Sequence, residues 1–114
     1  MKKLLLTAMI GMWATGALAH SPLKATTPAH ETSVSEVPSE ISFDFKGKIR
    51  LTRVTMTHGD HPSVDLDLGD VNGFISDYVI PIQPMGSGVY LIEWRGLGAD
   101  GHAMTGAFNF TVNE

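Results

Sequence analysis

No cysteine occurs among the 114 residues. Disulfides, thiolate metal sites and thiol nucleophiles are therefore excluded, and any metal must be held by His, carboxylate, Met, backbone or a terminal amine. Basic residues are also scarce, with eight Lys and Arg against twelve Asp and Glu. An acidic chain of this kind has no electrostatic reason to seek nucleic acid or anionic lipid. Long hydrophobic runs are missing beyond the N-terminus, as are internal repeats, low-complexity tracts and any long amphipathic helical pattern.

The one concentrated apolar stretch is at the start. Lys2 and Lys3 precede Leu4 to Trp13, which only Thr7 and Gly11 interrupt, and small residues follow up to Ala17-Leu18-Ala19. This is the layout of a secretory signal peptide with an A-x-A cleavage site. The stretch is short for a membrane anchor, which needs about 20 apolar residues. The expected division is a signal peptide at 1–19 and one domain at 20–114, exported to the periplasm and soluble once cleaved. Removal of Lys2 and Lys3 leaves six basic against twelve acidic residues, a formal charge of −6.

Residues 20–40 are rich in Pro, Ser, Thr and Glu. They suit either a disordered tail or a first short strand and its connection, since Leu23, Val34 and Val37 recur among turn residues. Period-two alternation then begins. In Ile41-Ser42-Phe43-Asp44-Phe45 the apolar side chains share one face. Lys46-Gly47-Lys48 is read as a turn. Ile49 and Leu51 share the next face, which strict alternation would extend to Arg53, and Val54 and Met56 shift phase, which predicts a bulge or bend. Val64 to Leu68 alternates again. Tyr78 to Ile82 is a short strand in which Pro81 marks an edge or an end. Asp70 to Asp77 fits a helical turn or a plain loop equally well. Gly86-Ser87-Gly88 turns the chain into Val89 to Trp94, the most apolar strand, and Ala107 to Val112 closes the sequence. Short strands with turn residues between them predict an all-β sandwich or barrel.

Three residues are candidate metal ligands: His20, Asp100 and His102. Cleavage after Ala19 would give His20 a free α-amino group beside its imidazole, so that amine and Nδ1 chelate one ion. The pKa of such an amine is about 7.7–8.0, which a metal overcomes near neutral pH. Asp100 and His102 stand at i and i+2 around Gly101, on one side of an extended segment. Amine, two imidazoles and a carboxylate form an N/O set that suits tetragonal Cu(II) better than tetrahedral zinc. Taken singly, an N-terminal His is an accident of cleavage and an Asp-Gly pair is a turn; only their combination points to metal.

At these residues the sequence resembles the CopC family of periplasmic copper-binding proteins. The likeness runs from His20 through Thr27-Pro28 and Val37-Pro38 to Gly88-Val89-Tyr90-Leu91-Ile92-Glu93-Trp94, then Ala99-Asp100-Gly101-His102 and Gly106 to Val112. The resemblance implies a Greek-key β-sandwich with a Cu(II) site formed by His20, Asp100 and His102. It also implies copper carriage, sequestration or resistance, with delivery to an inner- or outer-membrane transporter and no catalytic role. Two departures stand out. Many members begin His-x-His, but position 22 is Pro, whose missing N–H closes off an amino-terminal chelate through the third residue's amide. The family's Cu(I) site is methionine-rich, whereas Met56, Met85 and Met104 are dispersed, so no dedicated Cu(I) site is expected.

The remaining candidates have plainer readings. His58 and His61 are a possible weak second metal site, but read first as part of a polar loop, with Met56 a weak thioether partner of His58. His30 reads as a solvated loop residue and Trp94 as core. Met104 either covers the metal site or packs at its rim. Glu93 reads as exposed, with a bond to a ligand imidazole the alternative. Two other functions fit parts of the pattern: a copper-dependent histidine-brace redox enzyme, for which the chain is short, and a metal-free β-sandwich that binds a protein partner.

Overall fold

A computed structural model describes residues 22–70 and 73–114. The expected signal peptide and His20 lie outside the described residues. Seven strands follow in order: β1 (Leu23–Thr27), β2 (Thr32–Val34), β3 (Glu40–His58), β4 (Val64–Asp65), β5 (Ile75–Pro81), β6 (Gly88–Gly98) and β7 (Ala103–Val112). Among the described residues there is no helix.

The long strand β3 organises the rest. Its first half lies between β1 and β5, and its second half between β6 and β4. Asp44 is paired to both Ala25 and Asp77, and Ile49 to both Ile75 and Gly98. Consequently β1 and β6 follow one another along one side of β3, and β5 and β4 along the other. β7 pairs antiparallel with β6 and carries β2 parallel on its far edge. The result is two facing layers that share β3, an all-β sandwich of the expected class.

Lys46-Gly47-Lys48 does not reverse the chain as the sequence suggested. These exposed residues lie within β3, where the register against β5 shifts between Asp44 and Ile49. Gly47 does not enter the left-handed region that a tight reversal commonly uses. The polar run is a corner where one strand passes between layers. Tyr78 braces it: its hydroxyl donates to the Ile49 carbonyl and accepts the Leu51 amide at 3.2 Å. Beyond it, the predicted phase shift is a bulge. Leu51 faces Gly96 and Arg53 faces Arg95, leaving Thr52 as the extra residue.

The alternating residues form the core. Ile41, Phe43 and Phe45 from the first half of β3 meet Trp94, Phe108 and Phe110 from β6 and β7. Phe45 meets Trp94 edge-on at 5.1 Å and Phe43 meets Phe108 edge-on at 5.5 Å, while Tyr90 stacks on Phe110 at 5.1 Å. Such pairs contribute about 0.5–1.5 kcal/mol beyond the area they bury. Trp94 lies flat against the backbone of β7 at Gly106, where a Cβ would stand 2.6 Å from the indole nitrogen.

Residues 20–40 resolve in favour of a strand and its connection over the described part, with β1 and β2 both ordered into the sheet. In the span from Asp70 to Asp77, β5 begins at Ile75, so strand extends further back than the sequence suggested. The cause is tertiary: Ile75 is held as the partner of Ile49. Pro81 ends β5, which among the described residues pairs only with β3, so the expected edge position is observed.

Candidate metal centre

The β6–β7 hairpin carries the candidate ligands. The Gly98 amide donates to the His102 carbonyl at 2.9 Å, and the Gly101 amide donates to the Gly98 carbonyl at 2.9 Å. Gly101 has φ +88°, a left-handed conformation that a side chain would disfavour. This turn leaves Asp100 and His102 on the same side. One oxygen of Asp100 accepts the His102 backbone amide at 3.1 Å, closing an Asx-type turn. The other accepts from the ring Nδ1 of His102 at 2.7 Å.

A carboxylate only accepts, so Nδ1 carries the proton and Nε2 of the neutral ring keeps a free lone pair. Both side chains are open to solvent, His102 by 81% and Asp100 by 64%. The hydrogen bond from His102 lowers the Asp100 pKa below its ordinary 3.8, and the bond to Asp100 raises that of His102 above 6.5. Thus the structure brings Asp100 and His102 together, as their spacing predicted, and each holds the other in its charged form.

Beneath the turn, Gly98 gives the carboxylate room. A Cβ there would stand 2.8 Å from the Met104 methyl and 3.1 Å from Asp100 Oδ1. Met104 is half-buried against the core, so it packs under the hairpin. Among the described residues, no three His, Asp or Glu gather closely enough to hold an ion. To hold an ion, the pair would need a third donor from elsewhere. The chain enters the fold nearby: the Pro22 carbonyl accepts the Lys46 amide at 2.9 Å. Ile49, three residues further along β3, is the partner of Gly98 on that same side.

Other candidates fall elsewhere. His58 is not part of a polar loop. It ends β3 facing inward and is only 8% exposed. Its Nε2 donates to the Ser87 carbonyl at 2.8 Å, its ring lies 4.6 Å from Tyr90, and Nδ1 is buried with no hydrogen-bond partner among the described residues. The bulge explains this, since Val54, Met56 and His58 continue one inward series after it; extending that series by two residues would have found His58. His61 is exposed, stacks on His58 at 5.3 Å and donates from Nδ1 to the His58 carbonyl. His30 accepts the Asn109 amide at 3.2 Å, fastening the β1–β2 connection to β7. Trp94 is core, as read. Glu93 faces an outer cleft, where its strand neighbours are Thr55 and Ala107.

The chain is a small all-β sandwich with an exposed carboxylate–imidazole pair at one hairpin, and comparison narrows the class. The CopC domain matches residues 23–113, and the chain belongs to the CopC family. It is 29% identical over 107 residues to Copper resistance protein C of Escherichia coli, covering 84% of this chain and 83% of that one. To the protein of the same name from Pseudomonas syringae pv. tomato it is 26% identical over 124 residues, covering 93% and 95%. The crystal structure of CopC from Methylosinus trichosporium OB3b superposes with a TM-score of 0.69 at 21% identity, covering 82% of this chain and 94% of that chain. PcoC, a methionine-rich copper resistance protein from Escherichia coli, superposes with a TM-score of 0.57 at 29% identity, covering 79% and 95%.

Proposed function

We propose that the protein is a periplasmic copper(II) carrier or buffer, acting in copper homeostasis and resistance rather than catalysis. Its signal peptide is removed after Ala19, and the ion is held by the His20 amine and imidazole, Asp100 and His102. The observation that carries this reading is the bonded pair of Asp100 and His102 at 2.7 Å. Two donors about 2.0 Å from one ion, at right angles, stand about 2.8 Å apart. An ion held by both would take the place of the Nδ1 proton, with the ring turned so that the Nδ1 lone pair leaves the line to Asp100 and the N–H passing to Nε2.

His20 stands two positions before Pro22 in the sequence, and extended chain spans about 3.3–3.6 Å per residue. Pro22 is fastened at Lys46, on the side of β3 that carries Gly98 and the hairpin. Relatives named for copper resistance support copper as the cargo. The N/O donor set favours Cu(II), and a membrane copper transporter is the fitting recipient.

Titration of the processed protein with Cu(II) tests this, read by electron paramagnetic resonance. One tight site with nitrogen hyperfine splitting is expected. It should be lost in His102→Ala and in a form whose N-terminus is extended. Equal affinity with and without the extension would overturn the proposed site.

A further inference from the structure

The fold segregates charge in a way the net charge conceals. Five of the basic residues gather in one band: Lys46, Lys48, Arg50 and Arg53 along β3, and Arg95 on β6 as the cross-strand partner of Arg53. No acidic residue occurs in the sequence between Asp44 and Asp60. All five side chains are exposed. Arg53 has one ion-pair partner, Asp65 at 2.9 Å, whereas Lys46, Lys48, Arg50 and Arg95 have none among the described residues. Like charges placed directly opposite on neighbouring strands repel, and Arg53 and Arg95 are so placed.

The band adjoins the hairpin, since Ile49 pairs with Gly98 and Arg50 with Leu97. Positive charge there opposes the capture of a cation, so metal recruitment does not account for it. Arg53 and Arg95 also line a concave cleft of about 560 Å³ on the outer face of β3, β6 and β7, together with Glu93 and the polar walls Thr55, Ser63 and Thr105.

We propose that this band is the docking surface for a protein partner that presents acidic side chains beside its own metal-exchange site, with one partner carboxylate seated between Arg95 and Arg53. The cleft suits a projecting carboxylate, which a guanidinium grips through two parallel N–H donors. A flat anionic membrane fits less well, because Arg53 and Arg95 line a concavity that a projecting side chain enters and a plane of headgroups does not. That metal is exchanged in the docked state rests on the copper reading above; the acidic recognition does not.

The probe is a short synthetic Asp/Glu peptide, its binding to the processed protein followed by fluorescence anisotropy and amide chemical shifts. Binding should weaken with salt, shift the amides of Arg50, Arg53 and Arg95, and fall about tenfold in the triple variant Lys48→Gln, Arg50→Gln, Arg95→Gln. The same variant should bind Cu(II) no more weakly than the native chain, which also shows that it is folded. His102→Ala should lose Cu(II) and keep the peptide, which separates the two readings. Peptide binding that is absent, or equal in the triple variant, overturns the proposal. Tighter binding to vesicles containing phosphatidylglycerol than to the peptide overturns it in favour of a membrane.

Discussion

Asp100 grips His102 twice, through the backbone amide at 3.1 Å and through ring Nδ1 at 2.7 Å. The second bond lowers the Asp100 pKa and raises that of His102. Asp100→Asn should therefore bring the His102 pKa back down, because a neutral amide no longer favours the imidazolium. NMR titration of the ring protons measures this, and an unchanged midpoint would mean that the pair is not formed in solution. The linkage has two signs. The raised His102 pKa supports the fold below 6.5 and loses that support as pH rises through the raised value; the lowered Asp100 pKa supports it above 3.8 and loses that support as pH falls. The pair's contribution is thus full between these limits and small, since both groups are solvated.

Metal binding responds in the opposite direction from the pair itself. A ligating imidazole must give up its proton. Because Asp100 raises the His102 pKa, competition from protons should begin above pH 6.5 and weaken Cu(II) binding steadily as the pH falls. Competition titrations at several pH values read the slope. An affinity flat from neutral pH to well below 6 would exclude His102 from the coordination shell.

Much of the fold was legible because burial on one face writes alternation into the sequence. Ile41, Phe43, Phe45, Ile49, Leu51 and Trp94 were readable as core, and the phase shift at Val54 as a bulge. The corner at Lys46-Gly47-Lys48 was not, because a polar interruption looks the same whether the chain reverses or passes between layers. What decides it is Tyr78, far along the sequence, bonded to Ile49 and Leu51. At the candidate centre, i and i+2 spacing showed that Asp100 and His102 converge. It did not show that they would engage each other, nor that charge would collect along β3 beside them.

Two glycines should differ in what a methyl group costs them. At Gly106 a Cβ would meet three atoms of the Trp94 indole at 2.6–2.7 Å, and a rigid ring packed in the core cannot yield. Gly106→Ala should destabilise the domain by about 1–3 kcal/mol or more. At Gly98 the closest atom is the free methyl of Met104 at 2.8 Å, which can swing aside, with Asp100 Oδ1 next at 3.1 Å. Gly98→Ala should cost less stability but disturb the Asp100–His102 bond. Denaturant melts rank the two, and the His102 pKa reports the second effect; the reverse ranking would contradict this packing.

Tyr78 tests whether the corner of β3 matters to the hairpin. Its hydroxyl joins the Ile49 carbonyl and the Leu51 amide, both buried, and Ile49 in turn holds Gly98 at the base of the turn. Tyr78→Phe keeps the ring that packs edge-on against Phe45 at 6.1 Å, so only the polar bridge is lost. Removing one partner of a buried hydrogen bond leaves the other unsatisfied, at about 1–3 kcal/mol. The melt should drop accordingly. Hydrogen exchange should quicken at Leu51 and along the Ile49–Gly98 pairing, while the amides of Phe108 and Phe110 keep their order relative to the global opening. Since the Pro22 carbonyl is fastened to Lys46 on that same corner, a looser corner should also spread the positions open to the N-terminal donor and weaken Cu(II) binding. Unchanged affinity alongside a lowered melt would show that the corner serves folding alone.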